Sequence, residues 1–518
     1  MRIDDIIWHN ARARADKLAV ACGAVRLSFA QLAERSRKVA NALAGLGVQR
    51  GERVAVLATN TAEYVEVVFG IAAAGAVWVP LNFRLAAEEL EFIIADSEAA
   101  AVVYTHDMVS AVDAIRDRLP AVRTWIRIGG GAAGGAAVAY DDMLSRAKAS
   151  APSTMASSAD LFTIMYTSGT TGRPKGAMLS HEAFSLGTLL SSIALNARPE
   201  DVKLQVIPQF HAGGQIYQLC HLAMGSTIVV CPRFDPDLVL RLLTDEGATA
   251  VGLVPSMLVA MLEAPAIRKT DLSRLTRVMY GGSSIPEDRL AQALELTNAA
   301  FLQTYGQTEA GVLVSVLDAQ DHRAGASGAP QLLRSCGRAM LGYDIRIVDD
   351  AGRAVPDGEL GELCVRGPSL MQGYWKKEAA TAATLVEGQL HTGDVARRDG
   401  EGRFYIVDRK KDMIISGGEN IASAEVEGAL SGHPSVLDVA VIGVPDERWG
   451  EAVKAIVVRR AGSNPSADEL LEHCRNHLGG FKVPKSVDFV DNLPRNASGK
   501  VLKAQLRNPY WEGRARKV

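Results

Sequence analysis

The chain has few cysteines for its 518 residues, and they lie far apart. There are 6 of them, and no two have the Cys-x-x-Cys spacing of a zinc site or of a redox dithiol. Scattered single cysteines are typical of a reducing compartment. The sequence therefore excludes a disulfide-stapled scaffold and a zinc-ribbon module.

Neither sign of charge is in excess. Lys and Arg number 56 and Asp and Glu number 59, so the formal net charge is −3. This balance argues against a nucleic-acid-binding protein and against a polybasic membrane anchor. No run reaches the roughly 18 apolar residues that a membrane helix needs, and the opening MRIDDIIWHN lacks the apolar core of a secretory signal. We expect a cytoplasmic protein without a transmembrane segment.

The remaining composition is that of a globular protein, with 48% hydrophobic and 22% charged residues. Helical patterns alternate with short apolar strands such as RVAVLA (53–58) and AAAVVYT (99–105), which predicts parallel pairing and an α/β fold. We expect a large N-terminal domain over 1–410, with two helix-layered sheets of parallel type (about 1–155 and 156–335) and a small β unit (336–410). A small α+β domain over 411–518 completes the chain.

One glycine-rich loop carries the strongest chemical signal. It reads Thr167-Ser168-Gly169-Thr170-Thr171-Gly172-Arg173-Pro174-Lys175-Gly176 and follows the strand pattern FTIMY. Glycines let backbone amides converge on an anion, the hydroxyls add donors and the lysine adds positive charge. The loop is not a Walker A motif, because Gly176 stands where Ser or Thr would follow the lysine. It predicts a polyphosphate site.

Four motifs in order resemble those of the adenylate-forming superfamily, which includes acyl-CoA synthetases, adenylation domains and firefly-type luciferases. They are YTSGTTGRPKG (166–176), TYGQTEAG (304–311), the stretch from HTGD to SAEVE (391–427) and LPRNASGKVLKAQLR (493–507). The chain is most similar to a bacterial fatty-acid–CoA ligase. The resemblance implies that a carboxylate attacks ATP to give acyl-AMP and pyrophosphate, and that the thiol of CoA then displaces AMP.

The resemblance also implies which residues bind the nucleotide and CoA. Residues expected on the phosphates are Thr167, Ser168, Gly169, Thr170, Thr171 and Gly172, and those expected around adenine are Gly281, Gly282, Ser283, Tyr305 and Gly306. Asp394 is expected to accept the ribose hydroxyls, and Arg409 to reach ribose or phosphate. Lys411 matches the hinge about which the C-terminal domain rotates between the two steps. Gly417 and Gly418 would then let the pantetheine arm pass.

The same resemblance assigns the catalytic groups. Lys500 is expected to bridge the carboxylate and the α-phosphate, and Lys175 to contact the leaving phosphates. Glu309 is the expected magnesium ligand, next to Thr308 on phosphate. His211 is expected to orient the carboxyl group of the acid. ATP, Mg²⁺ and CoA are therefore the expected cofactor and co-substrates.

The acid itself is inferred from the segments that line the acid pocket in this family. These segments are 208–216, 254–258, 280–283 and 305–313. Apart from Glu309 they contain no charged side chain, so neither an ammonium nor a second carboxylate on the acid would find a partner. Small residues, namely Gly213, Gly214, Ala310 and Gly311, are expected to leave volume. A medium- or long-chain fatty acid is the first expectation, and an aromatic acid such as a hydroxycinnamate or benzoate is the alternative.

The acceptor of the acyl group stays open at this point. CoA is the first expectation, a carrier protein loaded by an acyl-AMP ligase is the second, and a nucleotide-binding module without catalysis is the third. The joint presence of Lys175, Glu309, Asp394 and Lys500 argues against the third. A homodimer is compatible with the sequence.

Overall fold

The computed structural model describes residues 1–130, 137–152, 156–167, 173–283, 285–417, 419–495 and 501–512. The α-helices of these residues are α1 (Asp5–Ala13), α2 (Phe29–Gly45), α3 (Ala62–Ala73), α4 (Ala87–Asp96), α5 (Val109–Asp113), α6 (Tyr140–Arg146), α7 (His181–Ala194), α8 (Ala212–Met224), α9 (Pro236–Asp245), α10 (Pro255–Glu263), α11 (Glu287–Leu296), α12 (Ala319–Ala326), α13 (Glu378–Thr384), α14 (Ser423–Ser431), α15 (Ala467–His477) and α16 (Lys503–Trp511).

The β-strands of the same residues are β1 (Leu18–Cys22), β2 (Val25–Ser28), β3 (Arg53–Leu57), β4 (Val77–Leu81), β5 (Ala99–Thr105), β6 (Thr124–Ile128), β7 (Ala137–Ala139), β8 (Leu161–Thr167), β9 (Lys175–Ser180), β10 (Val202–Gln205), β11 (Thr227–Val230), β12 (Ala250–Leu253), β13 (Arg277–Gly281), β14 (Ala300–Tyr305), β15 (Ser315–Leu317), β16 (Arg338–Ala339), β17 (Asp344–Val348), β18 (Gly361–Arg366), β19 (Gly373–Tyr374), β20 (Leu385–Val386), β21 (Gln389–Arg398), β22 (Phe404–Arg409), β23 (Ile414–Ser416), β24 (Glu419–Ile421), β25 (Val436–Asp446), β26 (Gly450–Arg459) and β27 (Ser486–Val490).

The chain divides into two compact units. Unit 1 consists of Met1–Ile285, Arg289–Asp344 and Val365–Leu390, and unit 2 of Pro286–Asp288, Ile345–Cys364 and His391–Val518. The predicted boundary at residue 411 and the hinge at Lys411 concern a movement, so they stay predictions.

Unit 1 contains two large sheets with parallel centres. One runs β16-β15-β14-β13-β12-β10-β11-β1-β2, and its strands from β14 to β1 are parallel. The other runs β19-β9-β8-β4-β3-β5-β6-β7 and is parallel from β8 to β7. This arrangement confirms the predicted α/β fold with two helix-layered sheets of parallel type.

Local sequence explains where the helices begin. Ser28 caps α2: its hydroxyl accepts from the backbone N–H of Gln31, and the Gln31 side chain accepts from the Ser28 N–H. This reciprocal pair satisfies donors that the first turn of a helix leaves open. Behind the cap, Phe29, Leu32 and Val39 are buried, as the helical spacing of apolar residues in the sequence predicts.

Unit 2 has an α+β core of its own. Strands β24-β23-β26-β25 form a sheet that β27 extends, with β25 and β26 paired antiparallel over their whole length. Buried apolar residues of this sheet, α14 and α15 form one cluster, which includes Ile414, Val426, Leu430 and Val441. The predicted α+β fold of the C-terminal residues is confirmed.

Two further findings concern membrane helices and disulfides. None of the helices in the described ranges is long and apolar enough to cross a membrane. The six cysteines all lie in described ranges, and none of them forms a disulfide.

Candidate active site

The carboxyl ends of four parallel strands in unit 1 lie at one edge of a sheet, where a ligand crevice is expected. From β10 the chain moves to β11 on one side of the sheet, whereas β12, β13 and β14 follow on the other side. Ligands of open parallel sheets bind where the strand order reverses in this way, beside the carboxyl ends. Each segment expected to line the acid pocket follows one of these strands, so the fold brings the four segments to one edge.

A β-hairpin holds the two ends of the glycine-rich loop. Strands β8 and β9 pair antiparallel, with Thr167 directly opposite Lys175. The Thr167 hydroxyl also lies 3.4 Å from the carbonyl oxygen of Lys175. Ser168, Gly169, Thr170, Thr171 and Gly172 lie outside the described residues, so their predicted phosphate contacts stay predictions.

Glu309 lies beside the base of this hairpin. It belongs to a short 3-10 turn, Thr308–Ala310, and its Oε1 accepts hydrogen bonds from Thr167 at 3.0 Å and from the Tyr374 hydroxyl at 3.1 Å. The ammonium of Lys175 stands 5.1 Å from the centre of the Tyr374 ring, within the range of a cation–π contact. Tyr374 therefore bridges the predicted acidic and basic groups.

The carboxylate oxygens of Glu309 are suited to bind a magnesium ion. Mg²⁺ usually takes one or two carboxylates from the protein and completes its shell with water and substrate phosphates. A single carboxylate fixed by two hydroxyl donors is such a partner, and the described residues contain no cluster of three or more His, Cys, Asp or Glu that could hold a metal alone. When bound, the ion neutralises phosphate charge that develops during displacement.

The backbone segments that are predicted to lie beside adenine are closely packed. A Cβ on Gly281 would lie 2.3 Å from the carbonyl oxygen of Thr304, and one on Gly306 would lie 1.7 Å from that of Val312. Gly282 has φ +91° with open space around it, and Ser283 is exposed. Tyr305 ends β14 opposite Ser315 of β15.

His211 is fixed at the start of α8. Its Nδ1 accepts from the backbone N–H of Gly213 at 3.1 Å and caps the helix, so the neutral ring carries its proton on Nε2. The preceding Gln209 is buried and anchored, since its N–H donates to Asn60 at 2.8 Å. The structure thus places the predicted carboxyl-orienting histidine at the crevice edge with one tautomer selected.

One expectation about the crevice is wrong. Gly214 and Gly311 do not leave volume, because a Cβ on either would lie 2.2 Å from a backbone oxygen, that of Pro208 or of Ser369. Their missing side chains are replaced by neighbouring backbone. Ala310 is buried, and only Gly213 has an ordinary contact, 3.4 Å to His211.

Tyr217 packs α8 against the parallel strands. It is buried, its ring packs where a Cβ on Gly252 would lie at 2.6 Å, and its hydroxyl meets that of Thr304 at 2.6 Å. A side chain from α8 thus reaches across β12 to β14. Sequence analysis did not find this contact, because Tyr217 lies just past the segments expected to line the pocket.

Lys203 is a second residue that sequence reasoning missed. It lies on β10, it is 0% exposed, and its ammonium donates to Gln205 on the same face of the strand. Burial lowers the pKa of Lys203 to about 7. The cause is desolvation of the charge, so this lysine changes its charge close to neutral pH.

In unit 2 a hairpin brings Asp394 and Arg409 together. They are opposite each other on β21 and β22, and the guanidinium Nε lies 2.6 Å from Asp394 Oδ1. The Asp394 N–H donates to Thr392 Oγ1 at 3.1 Å, which in turn donates to the Leu363 carbonyl at 2.6 Å. The two predicted ribose residues therefore form a pair on a rigid hairpin.

The predicted hinge and pantetheine residues are partly described. The carbonyl oxygen of Lys411 accepts from Arg507 at 3.2 Å. Gly417 has φ +62°, and a Cβ there would lie 2.8 Å from the Trp449 ring, so the turn requires glycine. Gly418 and Lys500 lie outside the described residues.

A switch-point crevice with a lysine and a carboxylate at the base of a glycine-rich hairpin is typical of an α/β enzyme that handles a phosphorylated ligand. Comparison with known proteins names the family. Residues 7–375 match the family model of the AMP-binding enzymes, and residues 425–500 match that of their C-terminal domain. The chain belongs to the adenylate-forming superfamily. In general terms it is an AMP-forming acid–thiol ligase.

Several relatives match over nearly the whole chain. A feruloyl-CoA synthase from an Amycolatopsis species is 40% identical over 509 residues, covering 97% of this chain and 98% of that protein. The long-chain-fatty-acid–CoA ligase FadD13 of Mycobacterium tuberculosis is 36% identical over 493 residues, covering 94% and 93%. Among solved structures, the anthranilate CoA ligase AuaEII in complex with anthranoyl-AMP has a TM-score of 0.89 at 27% identity, covering 98% and 97%.

Proposed function

We propose that this protein is a cytoplasmic acyl-CoA synthetase that activates an aromatic monocarboxylate. A carboxylate oxygen attacks the α-phosphorus of ATP, pyrophosphate leaves, and acyl-AMP forms. The thiol sulfur of CoA then attacks the acyl carbon, and AMP leaves.

The observation that carries the choice of acid is the position of the buried Tyr217 ring, directly after a segment expected to line the acid pocket. The Tyr217 hydroxyl meets that of Thr304 at 2.6 Å and so joins α8 to β14, and backbone fills the space beside Gly214 and Gly311. A site bounded by an aromatic ring and by close-packed backbone suits a flat ring better than a long flexible chain, because an aromatic acid loses little conformational entropy on binding. The relatives named for ferulate and anthranilate support the same choice.

Each predicted residue has a role in this proposal. Thr167, Thr308 and Lys175 position the phosphates, and Glu309 holds the magnesium ion with Tyr374 as its positioning partner. Asp394 and Arg409 bind ribose, His211 orients the carboxylate, and Lys500 bridges acid and α-phosphate. These groups act by positioning and by fixed charge, which carry most of the catalysis of phosphoryl and nucleotidyl displacement.

The test uses a panel of acids with a pair of variants. Purified protein is incubated with ATP, Mg²⁺, CoA and one acid at a time from benzoate, anthranilate, 4-coumarate, ferulate, octanoate and palmitate, and thioester and AMP are measured by mass spectrometry. We expect kcat/KM for the best aromatic acid to exceed that for either straight-chain acid by about tenfold or more, the value of one or two buried methylene contacts.

Tyr217→Ala removes the buried ring, and Tyr217→Phe keeps the ring while removing the hydroxyl. We expect Tyr217→Ala to raise activity on octanoate relative to ferulate, and Tyr217→Phe to keep the preference of the unmodified protein. A clear preference of the unmodified protein for palmitate would refute the aromatic assignment.

A fatty acid is the second candidate, and the similarity to FadD13 favours it. In that case palmitate gives the largest kcat/KM, and Tyr217 must move to admit the chain. AMP or acyl-adenylate without any thioester would instead favour a carrier protein as acceptor.

A further inference from the structure

A buried hydrogen-bond network in unit 2 begins at Asp408. This residue stands next to the end of β22 and is 7% exposed. Its Oδ2 accepts from the backbone N–H of Ser423 at 2.5 Å and from the Ser423 hydroxyl at 2.6 Å. Its Oδ1 accepts from the N–H of Arg409 at 2.7 Å. The carboxylate therefore ties the strand that carries Arg409 to the first residue of α14.

Lys503 completes the network from the start of α16. Its ammonium donates to the Ser423 hydroxyl at 2.6 Å and lies 2.7 Å from Glu427 Oε1. Glu427 also accepts from the N–H of Val441 at 2.8 Å. Burial alone would lower the pKa of Lys503, but the carboxylates of Glu427 and Asp408 outweigh it and raise that pKa. The lysine is charged at neutral pH.

The partners of this network lie on both sides of Lys411. Asp408 precedes Lys411 in the chain, whereas Ser423, Glu427 and Lys503 follow it. A second contact lies at the hinge itself, since Arg507 donates to the Lys411 carbonyl and pairs with Asp412 at 3.2 Å. A rotation about Lys411 that carries α14 and α16 away from β22 must break the bonds between Asp408 and Ser423.

We propose that Ser423 and Lys503 are positioning residues that hold the part of the chain after Lys411 on Asp408 for the adenylation step and release it for the thioester step. The proposal rests on the proposed two-step reaction and on the hinge at Lys411. Lys503 lies within the lysine motif, three positions after Lys500, and Asp408 adjoins Arg409 of the ribose pair. The network thus ties the lysine motif to the strand of the ribose pair, both of which the first step needs.

The chemistry of the network makes it a two-state contact. A buried carboxylate and a buried ammonium that lose their partners are costly to leave in place. The contact is therefore stable either with all of its hydrogen bonds formed or when it is fully opened to water. Partly broken forms of the contact are unstable. Such a contact can set the balance between two orientations.

The first experiment separates the two half-reactions in four variants. Ser423→Ala removes the hydroxyl bonds and leaves the backbone bond to Asp408. Lys503→Met removes the ammonium, Lys503→Arg keeps the charge, and Lys454→Met is the matched control. Lys454 is also buried and pairs with Asp488 at 2.8 Å, but both partners follow Lys411. Adenylation is measured as acid-dependent exchange of pyrophosphate into ATP, and the second step as thioester formation from supplied acyl-adenylate and CoA.

We expect Ser423→Ala and Lys503→Met to slow adenylation about tenfold, the value of one charged hydrogen bond, while the second step keeps or exceeds its rate. Lys503→Arg should restore most of the loss, and Lys454→Met should leave the ratio of the two rates unchanged. Equal losses in both steps would mean a structural role alone and would overturn the proposal. So would unchanged rates in both steps.

The second experiment does not depend on activity. Trypsin can cleave at Arg409, Lys410 and Lys411, and cleavage of a folded protein reports how often the segment opens. We expect cleavage there to be about tenfold faster in Ser423→Ala and Lys503→Met than in the unmodified protein and in Lys454→Met. Equal cleavage rates would overturn the proposal, and this result does not require an active enzyme. Failure to activate any acid of the panel would by itself refute only the proposed function.

Discussion

Replacing Lys203 by Met should change the pH dependence of stability in a defined way. The pKa of Lys203 falls from 10.5 to about 7 in the folded chain. Below pH 7 the ammonium is charged in both states, so the folded state carries the full cost of burying it. Between pH 7 and 10.5 the unfolded state binds more protons, so stability rises with pH at about 1.4 kcal/mol per unit.

The full cost is about 5 kcal/mol, from 3.5 units at about 1.36 kcal/mol each. Methionine keeps the length of the side chain without the charge. It leaves Gln205 without its donor, which costs about 1–3 kcal/mol at every pH. The measured difference in free energy of unfolding should therefore favour Lys203→Met by about 3 kcal/mol more at pH 6 than at pH 9.

The assay is urea denaturation of both proteins from pH 6 to pH 9, where the effects of groups that do not interact with Lys203 cancel in the difference. Lys203 does act on His221 and Cys220, but burial sets the pKa of His221 to about 3 and that of Cys220 to about 12 in the folded chain, outside this range. Lys148→Met, at an exposed position, is the control and should show no such trend. A difference that does not change with pH would refute the lowered pKa of Lys203.

Three further predictions concern the site. Tyr374→Phe removes a hydrogen bond to Glu309 at 3.1 Å but keeps the ring beside Lys175, so pyrophosphate exchange should slow about tenfold; an unchanged rate would show that the hydroxyl does not position the carboxylate. Asp394→Asn should weaken AMP binding about tenfold in calorimetry, because a charged acceptor of the ribose is lost; unchanged affinity would remove Asp394 from the ribose site. Gly214→Ala should lower the free energy of unfolding by about 1–3 kcal/mol, since its Cβ would lie 2.2 Å from the Pro208 oxygen. An unchanged urea midpoint would mean that the backbone at Pro208 can shift to accommodate the methyl group without loss of stability.

The sequence predicts those parts of the fold that local rules determine. Ser28 begins a helix because its own side chain and that of Gln31 cap it, and neither needs a distant partner. The pairing of Thr167 with Lys175 follows from a strand, a glycine-rich loop and a strand in direct succession. Adjacent motif residues such as Thr308 and Glu309 are likewise found together.

The contacts that escaped prediction join residues far apart in the chain. Tyr374 is 65 positions from Glu309, and Tyr217 is 87 positions from Thr304, so no local pattern links them. The error at Gly214 and Gly311 has the same origin. A missing side chain can either open a cavity or admit a neighbouring backbone, and only the tertiary packing decides which.

The hairpin that joins Thr167 to Lys175 has a consequence for how this protein could change. Because backbone pairing between β8 and β9 fixes the two ends, the entropy of closing the intervening loop is lost when the chain folds and not when a nucleotide arrives. The residues between can therefore be exchanged, shortened or lengthened while the hydroxyl and the ammonium at the base keep their spacing. Loop libraries inserted between Thr167 and Lys175 would sample new phosphate preferences on an unchanged anchor.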